Sequence, residues 1–402
     1  MGSINIDNTG SGGGVTLSSD GTDLLLDGTA IGGGGGGADL YAANESSPSA
    51  QPSATGANAV AIGESATASG SNAIAVGHNS TTGGAYSFAG FGSANGNYSV
   101  AIGISTSANS ERSVAIGNGA GTTGVKTTAI GYNSNAANNG AVALTNSRAS
   151  GTDSLAAAIA SNSSSYGASG TQSVAMGYQA KATALQSASL GGFANISSGS
   201  YAITAGSSNT ASATRSIAIG GHSNEASGIY SAILGGIGNT ASGGFSRAGG
   251  YFADTQNIDG KDAYASYSFA SDGDQQRASL VLFCDTTDAT AEALRSNTSA
   301  ASTTNQVVVP SNAAFAFHGT IVAKQSGSAN AAAWKVEGLI VNNGGTTTLT
   351  NSATTVLSNT PSWGMALSAD DTNDALAITV TGAASTNIRW VATIHTSEVI
   401  YA

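Results

Sequence analysis

Val60-Ala61-Ile62-Gly63 is a quartet that returns as Ile74-Ala75-Val76-Gly77, Val100-Ala101-Ile102-Gly103, Val114-Ala115-Ile116-Gly117 and Thr128-Ala129-Ile130-Gly131. Val174-Ala175-Met176-Gly177, Ser189-Leu190-Gly191, Ile217-Ala218-Ile219-Gly220 and Ile233-Leu234-Gly235 continue the series. Looser copies fill the intervals at Phe88-Ala89-Gly90, Val142-Ala143-Leu144-Thr145, Ala158-Ile159-Ala160, Thr204-Ala205-Gly206 and Arg247-Ala248-Gly249. Fourteen units therefore lie between residues 57 and 249, most of them 13 to 15 residues apart, with one step of 17 across the Ser-rich stretch 161–165. Alternation within Val-Ala-Ile is the two-residue period of a strand, and the glycine after it supplies a backbone conformation that β-branched residues resist. A second, weaker alternation such as Ala66-Thr67-Ala68 follows, and a turn closes near Ser69-Gly70-Ser71-Asn72. Two short strands and two turns in so few residues make one coil of a narrow parallel β-solenoid. At the usual interstrand spacing, fourteen coils give a rod roughly 65 Å long. A coil this thin cannot bury its apolar strip alone, and its second strand offers only small residues, so lateral association with identical copies is expected.

Composition supports this reading. Gly is 56 of 402 residues, Pro only 4, and charged residues 9%. Amphipathic helices need charged outer faces that such a chain lacks. Collagen is excluded because Gly shows no three-residue period, and the ordered recurrence of hydrophobic residues argues against disorder. The net charge of −11 is uneven: residues 1–56 carry six acids and no base, 57–249 four acids and six bases, and 250–402 thirteen acids and six bases. Without clustered Lys or Arg, neither nucleic-acid binding nor a polybasic membrane patch is expected. No apolar run is long enough to insert in a membrane, and Met1-Gly2-Ser3-Ile4-Asn5 lacks the features of a secretory signal. Assembly in a cytoplasm is the corresponding expectation. The single cysteine, Cys284, sits in Leu280-Val281-Leu282-Phe283-Cys284 and reads as a small buried hydrophobe.

The Ser-Val-Ala-Ile-Gly pattern at residues 99–103 and 113–117 resembles the head repeats of trimeric autotransporter adhesins, the YadA-like left-handed β-roll. The resemblance covers about half of the chain. It implies a homotrimer of rolls side by side, with the Val/Ile strips inside each roll. This chain departs from those adhesins in showing no secretion signal, coiled-coil stalk or membrane-anchoring barrel.

The flanking regions differ in character. Within residues 1–56, Asp20-Gly21 between apolar stretches signals a hairpin, followed by the glycine run 32–37 and a Ser/Pro/Ala-rich linker. The glycines are not followed by the Lys-Ser/Thr of a phosphate loop. A small head on a tether suits an anchor that docks to a larger assembly. Residues 250–402 lose the repeat and show strand-like runs at 278–284, 306–309, 314–324, 334–341, 363–367, 375–380 and 388–395, which indicate an antiparallel β-sandwich of jelly-roll type. Thr303 to Pro310, Ala333 to Gly338 and Asn387 to Ile394 look like the C-terminal domain of tail-fibre and structural proteins of phages and prophages. That resemblance implies a virion location.

The chemistry-bearing residues are sparse. The roll's acids Glu64, Glu111, Asp153 and Glu225 fall on separated coils, whereas glycan hydrolysis needs two carboxylates flanking one cleft. Asp370, Asp371 and Asp374 read as a turn cluster whose spacing would also suit calcium. The four histidines have no metal-ligand spacing, so no metal or cofactor is expected. His78, His222, Tyr132 and Tyr178 follow coil glycines, where side chains face solvent and can stack on sugars. Trp334, Trp363 and Trp390 suit a core or trimer contact, and Trp363, beside Pro361, is also a candidate surface sugar contact.

Together these features point to a non-catalytic, all-β, trimeric phage tail fibre that meets a glycan or protein on the host cell surface. The alternatives are a capsid head fibre or decoration protein, a bacterial surface adhesin, and a capsule-degrading depolymerase.

Overall fold

The computed structural model describes residues 50–157, 165–359 and 361–401, together with the backbone of four strands near the N-terminus. The fold is all-β. Of the N-terminal strands, Val15–Ser19 and Leu24–Leu26 pair antiparallel; Asp20-Gly21, read above as a hairpin turn, lies outside the described residues. The glycine run and most of the linker lie outside the described residues.

From Ser53 to Ala265 the chain winds as a solenoid with two parallel ladders. One ladder stacks the quartet strands, as in Val60↔Ile74, Phe88↔Val100 and Val114↔Thr128. The other stacks fourteen two-residue strands from Ser53–Ala54 to Thr240–Ala241. Each coil turns twice through a left-handed residue: Asn72, Tyr86, Tyr98 and Arg112 hold φ near +56° at one edge, and Ser65, Asn79 and Ser105 hold φ near +57° at the other. The quartet glycine is required at its place. Gly63 has φ +114°, and a Cβ there would come within 2.9 Å of the carbonyl carbon of Gly77 in the next coil.

The coil interior corrects one implication of the adhesin resemblance. The central alanines are inside: Ala75, Ala89, Ala101, Ala115, Ala129 and Ala143 are 0% exposed. Ile74, Ile102, Ile130 and Met176 are about 40% exposed and point outward. Volume decides this. A three-residue strand facing a two-residue strand leaves space for methyl and hydroxyl groups, so the opposing positions are Ala68, Thr82, Ala94, Ala108 and Thr122, all buried. The Val/Ile strip forms the outer face of the longer-stranded sheet.

At the C-terminal end the interior becomes polar. Asn195, Asn209, Asn224 and Asn239 form a buried file in which each backbone N–H donates to the preceding Asn Oδ1 at 2.9–3.1 Å. The last parallel rung pairs Arg247–Gly250 with Asp262–Ala265. The sheet then continues antiparallel through Gln275–Thr286, Ile388–Ile400, Ala313–Gln325, Ala331–Asn343 and Thr346–Asn359. A smaller antiparallel sheet is built on Ala375–Thr381, with Gly364–Asp370 on one edge and Ala291–Ala293 and Val307–Val308 on the other. One core joins the two sheets, including Leu282, Phe315, Trp334, Trp390, Ile378 and Val380. Cys284 lies within it, and burial pushes its thiol pKa up to about 12. Lys261 and Glu398 fasten the end of the solenoid to the last strand through a 2.9 Å ion pair with side chains 0% and 1% exposed.

Candidate functional site

Because a coil advances one interstrand spacing per turn, residues at equivalent turn positions form files along the solenoid axis. The edge after the quartet strand carries four of the residues singled out above. His78, Tyr132, Tyr178 and His222 are all exposed there. Tyr178, Phe193, Ser207 and His222 make one file by strand register. The Tyr178 and Phe193 rings stack at 5.3 Å and 9°. Isolated bridges extend the file through Ile237 to Tyr251, which stacks on Tyr267 at 4.9 Å. His78 and Tyr132 lie on the same edge but four coils apart, about 19 Å at the usual strand spacing, so they do not share a site. His78 Nε2 is 3.6 Å from Glu64 Oε2.

The opposite edge, just before each quartet strand, carries a second aromatic file that the spacing of the glycines does not reveal. Its left-handed positions hold Tyr86, Tyr98, Arg112, Tyr201, Arg215, Tyr230 and Phe245. Tyr86 and Tyr98 stack at 5.1 Å and 1°, with the Arg112 guanidinium 5.8 Å from the Tyr98 centroid. Arg215 lies between Tyr201 and Tyr230, at 5.0 and 5.2 Å from their centroids, and its Nη1 donates to the Tyr230 hydroxyl at 2.7 Å. Tyr230 stacks on Phe245 at 5.0 Å. The signal for these residues is the coil register: each stands two positions before an alternating strand.

Trp363 does not offer a surface to a sugar. It is 5% exposed, 5.8 Å from Trp390, and its backbone N–H donates to Asn359 Oδ1 at 2.9 Å. Proximity to Pro361 suggests a loop, but the ring turns inward to fill the space between the two C-terminal sheets. Of the acidic turn, Asp370 accepts from Asn373 Nδ2 at 2.7 Å, Asp371 from the Thr347 N–H at 2.6 Å and Asp374 from Thr347 Oγ1 at 2.9 Å. Burial pushes the Asp370 carboxyl up, but the Asn373 and Thr372 hydrogen bonds outweigh it and hold it below the usual range.

Acidic residues also gather at the junction of solenoid and sheets. Desolvation raises the Asp254 carboxyl despite the Gln256 N–H and Lys261, and nearby Asp272 adds to the rise. Asp272 is itself raised by burial and by Asp274. Asp274 goes the other way: burial is outweighed by the backbone N–H groups of Ser271, Ala270, Phe269 and Gln275.

Comparison with known proteins places the repeats. The YadA head domain repeat (2 copies) matches residues 54–89, 94–120, 123–144, 168–194 and 197–223, so the solenoid carries YadA head repeats. A search of curated proteins finds no match. Among solved structures, similarity is found to the tailspike protein gp49 of Acinetobacter baumannii bacteriophage Fri1, described as a capsular polysaccharide depolymerase. The identity is 10%, with 87% of this chain and 69% of that chain covered and a TM-score of 0.24. The expectation of a non-catalytic chain is corrected by this finding, because the similar tailspike is an enzyme. A TM-score this low does not carry the tailspike's activity to this chain.

Proposed function

We propose that this chain, with its YadA head repeats as the premise, is the trimeric attachment fibre of a bacteriophage particle. One observation carries the reading: among the described residues, the outer face of the solenoid bears an apolar side chain on nearly every coil from Val60 to Leu234. Ile74, Ile102, Ile130, Met176, Leu190, Ile203 and Leu234 are 37–71% exposed on a single chain. A continuous apolar face of this extent marks an interaction surface. Three copies packed on these faces would close the assembly by a three-fold axis and leave the turn edges available to a target. Linked edges bearing weak sites would add up to firm attachment.

In this reading residues 1–56 dock the fibre to other virion proteins, 57–249 form the rod, and 250–402 form its β-sandwich tip domain. The likeness of residues 303–310, 333–338 and 387–394 to phage and prophage structural proteins supports the virion location. The target is a glycan or protein on the host cell surface. Fluorescently labelled protein applied to a panel of bacterial strains tests the reading: it should decorate a subset of strains as a trimer. A chain that remains monomeric, or that decorates none of the strains sensitive to the particle carrying it, overturns it.

A further inference from the structure

The solenoid edge after the quartet strands is interrupted once near its N-terminal end. From the first residue of the quartet strand to the first residue of the next short strand, the chain takes seven positions from Ile74 to Thr81 and from Val100 to Ser107, but five from Phe88 to Ser93. The pairing confirms a step of twelve there: Phe88 faces Val100, and Thr81 faces Ser93. Two residues are therefore missing from one turn, and the coils above and below overhang it.

The backbone registers the gap. In neighbouring coils the left-handed residue of this edge donates its N–H one rung down, as in Asn79→Glu64, Gly119→Ile104 and Asn133→Asn118 at 2.9–3.0 Å. The shortened turn breaks that series. Among the described residues no backbone bond reaches the Ser105 N–H or the His78 carbonyl. These two groups, two rungs apart at about 9.5 Å by the usual spacing, are without a backbone partner.

The floor of the gap is an aromatic ring. Phe91 occupies the left-handed position, φ +59°, where the coils on either side hold Asn79 and Ser105. Its ring lies over the backbone of Gly77, since a Cβ at Gly77 would be 2.7 Å from Phe91 Cδ1. One face is thus supported by the preceding coil, and the residue remains 57% exposed. His78, Asn79, Ile104 and Ser105 wall a cavity of about 410 Å³ over Phe91. The His78 ring meets Glu64 at 3.6 Å and Asn79 Nδ2 at 3.1 Å, which fixes it at the rim.

We propose that this notch binds one hexopyranose unit of a neutral surface glycan. The C–H face of a pyranose is apolar with positive hydrogen edges, matching the negative face of a supported aromatic ring. Hydroxyls around the sugar suit a rim offering one backbone N–H, one carbonyl, an amide and an imidazole, the pattern of an apolar floor with few directed polar groups. No unpaired cation lines the notch, and the Glu64 carboxylate beside it disfavours an acidic sugar. The inference rests on the adhesive reading above and gives it a ligand class and a site.

Saturation-transfer NMR on the full chain tests it, with the methyl glycosides of glucose, galactose, mannose, N-acetylglucosamine and N-acetylgalactosamine as probes. At least one should receive saturation on its ring C–H protons. Phe91→Ser installs a residue type found at the equivalent position of nearby coils, so the solenoid should persist; a two-residue insertion after Gly90 restores the seven-position turn and fills the notch. Each should weaken binding by at least roughly tenfold. No saturation with any glycoside, or an equal signal in both variants, overturns the proposal. Strain decoration by the wild-type trimer separates the two readings. Decoration without glycoside binding sinks the notch alone, and glycoside binding without decoration sinks the fibre alone.

Discussion

Glu398→Gln is expected to be among the most destabilising single changes in the chain. Glu398 Oε2 accepts from Lys261 Nζ at 2.9 Å and from Gln276 Nε2 at 2.7 Å, and Oε1 accepts from Thr396 Oγ1 at 2.6 Å. Lys261 also donates to Gln256 Oε1 at 2.6 Å and lies 5.8 Å from the Phe315 centroid. Its side chain has no exposed surface. Replacing the carboxylate by an amide preserves the shape and leaves an ammonium group buried without a counter-charge, at a cost of about 3–5 kcal/mol. For a cooperative unit of this size, that corresponds to a fall of roughly 6–20 °C in Tm. The double variant Lys261→Met/Glu398→Leu removes both charges and should recover most of the loss, because a well-packed apolar pair avoids the desolvation penalty. All three tryptophans, Trp334, Trp363 and Trp390, sit in the core of the C-terminal sheets that this clamp fastens to the solenoid, so tryptophan fluorescence during denaturant unfolding reports the stability of that unit. A single variant within about 0.5 kcal/mol of wild type, or a double variant as unstable as the single, would refute the reasoning.

Three further outcomes follow from the same structure. Asn224→Ala removes an amide whose Oδ1 accepts from Asn239 N and Nδ2, at 3.0 and 2.9 Å, inside a file closed to water; a loss of about 1–3 kcal/mol is expected, and hydrogen exchange should rise at the Asn239 N–H, which loses its acceptor, before the rest of the solenoid. Ala115→Leu should prevent compact stacking or cost at least about 1–3 kcal/mol, whereas Ile116→Ser, on the outer face, should spare the monomer fold and weaken assembly, as circular dichroism and light scattering would show. The pH dependence has two parts of opposite sign. Asp274 is held low by backbone N–H groups, so its contribution is present above the ordinary carboxylate pKa and is lost as acid titrates it below about 4. Asp254 is held high by burial, so its protonation as the pH falls toward the ordinary carboxylate range favours the fold, and Asp254→Asn should remove that gain in pH-dependent melts.

The quartets made the coil legible, since an alternating triplet and a glycine recurring at near-constant spacing admit few other folds. Which face turned inward was not legible from hydrophobicity alone. Val and Ile outrank Ala in burial preference, yet a coil closed by two- and three-residue strands has no volume for them. The strand Thr346–Asn359 escaped notice because its Thr, Ser and Asn residues are exposed on both faces over most of its length, leaving no alternation to detect. The notch was hidden by the choice of marker. Counting from glycines spreads its two missing residues over two ordinary thirteen-residue steps, Gly77 to Gly90 and Gly90 to Gly103. Only strand pairing assigns them to one turn. The aromatic and arginine ladder of the opposite edge likewise needs coil register, and a wholly buried Lys261 is a tertiary event that its local sequence does not announce.

What covers the outward Val/Ile strip decides whether the chain is a trimeric fibre. Sedimentation equilibrium of the full chain, across a concentration series, measures it most directly. A mass of three chains, near 117 kDa from 38.9 kDa each, that falls toward one chain in the double variant Ile102→Glu/Ile130→Glu is the predicted result. A wild-type chain that stays monomeric, or a trimer indifferent to charge on that strip, would contradict it.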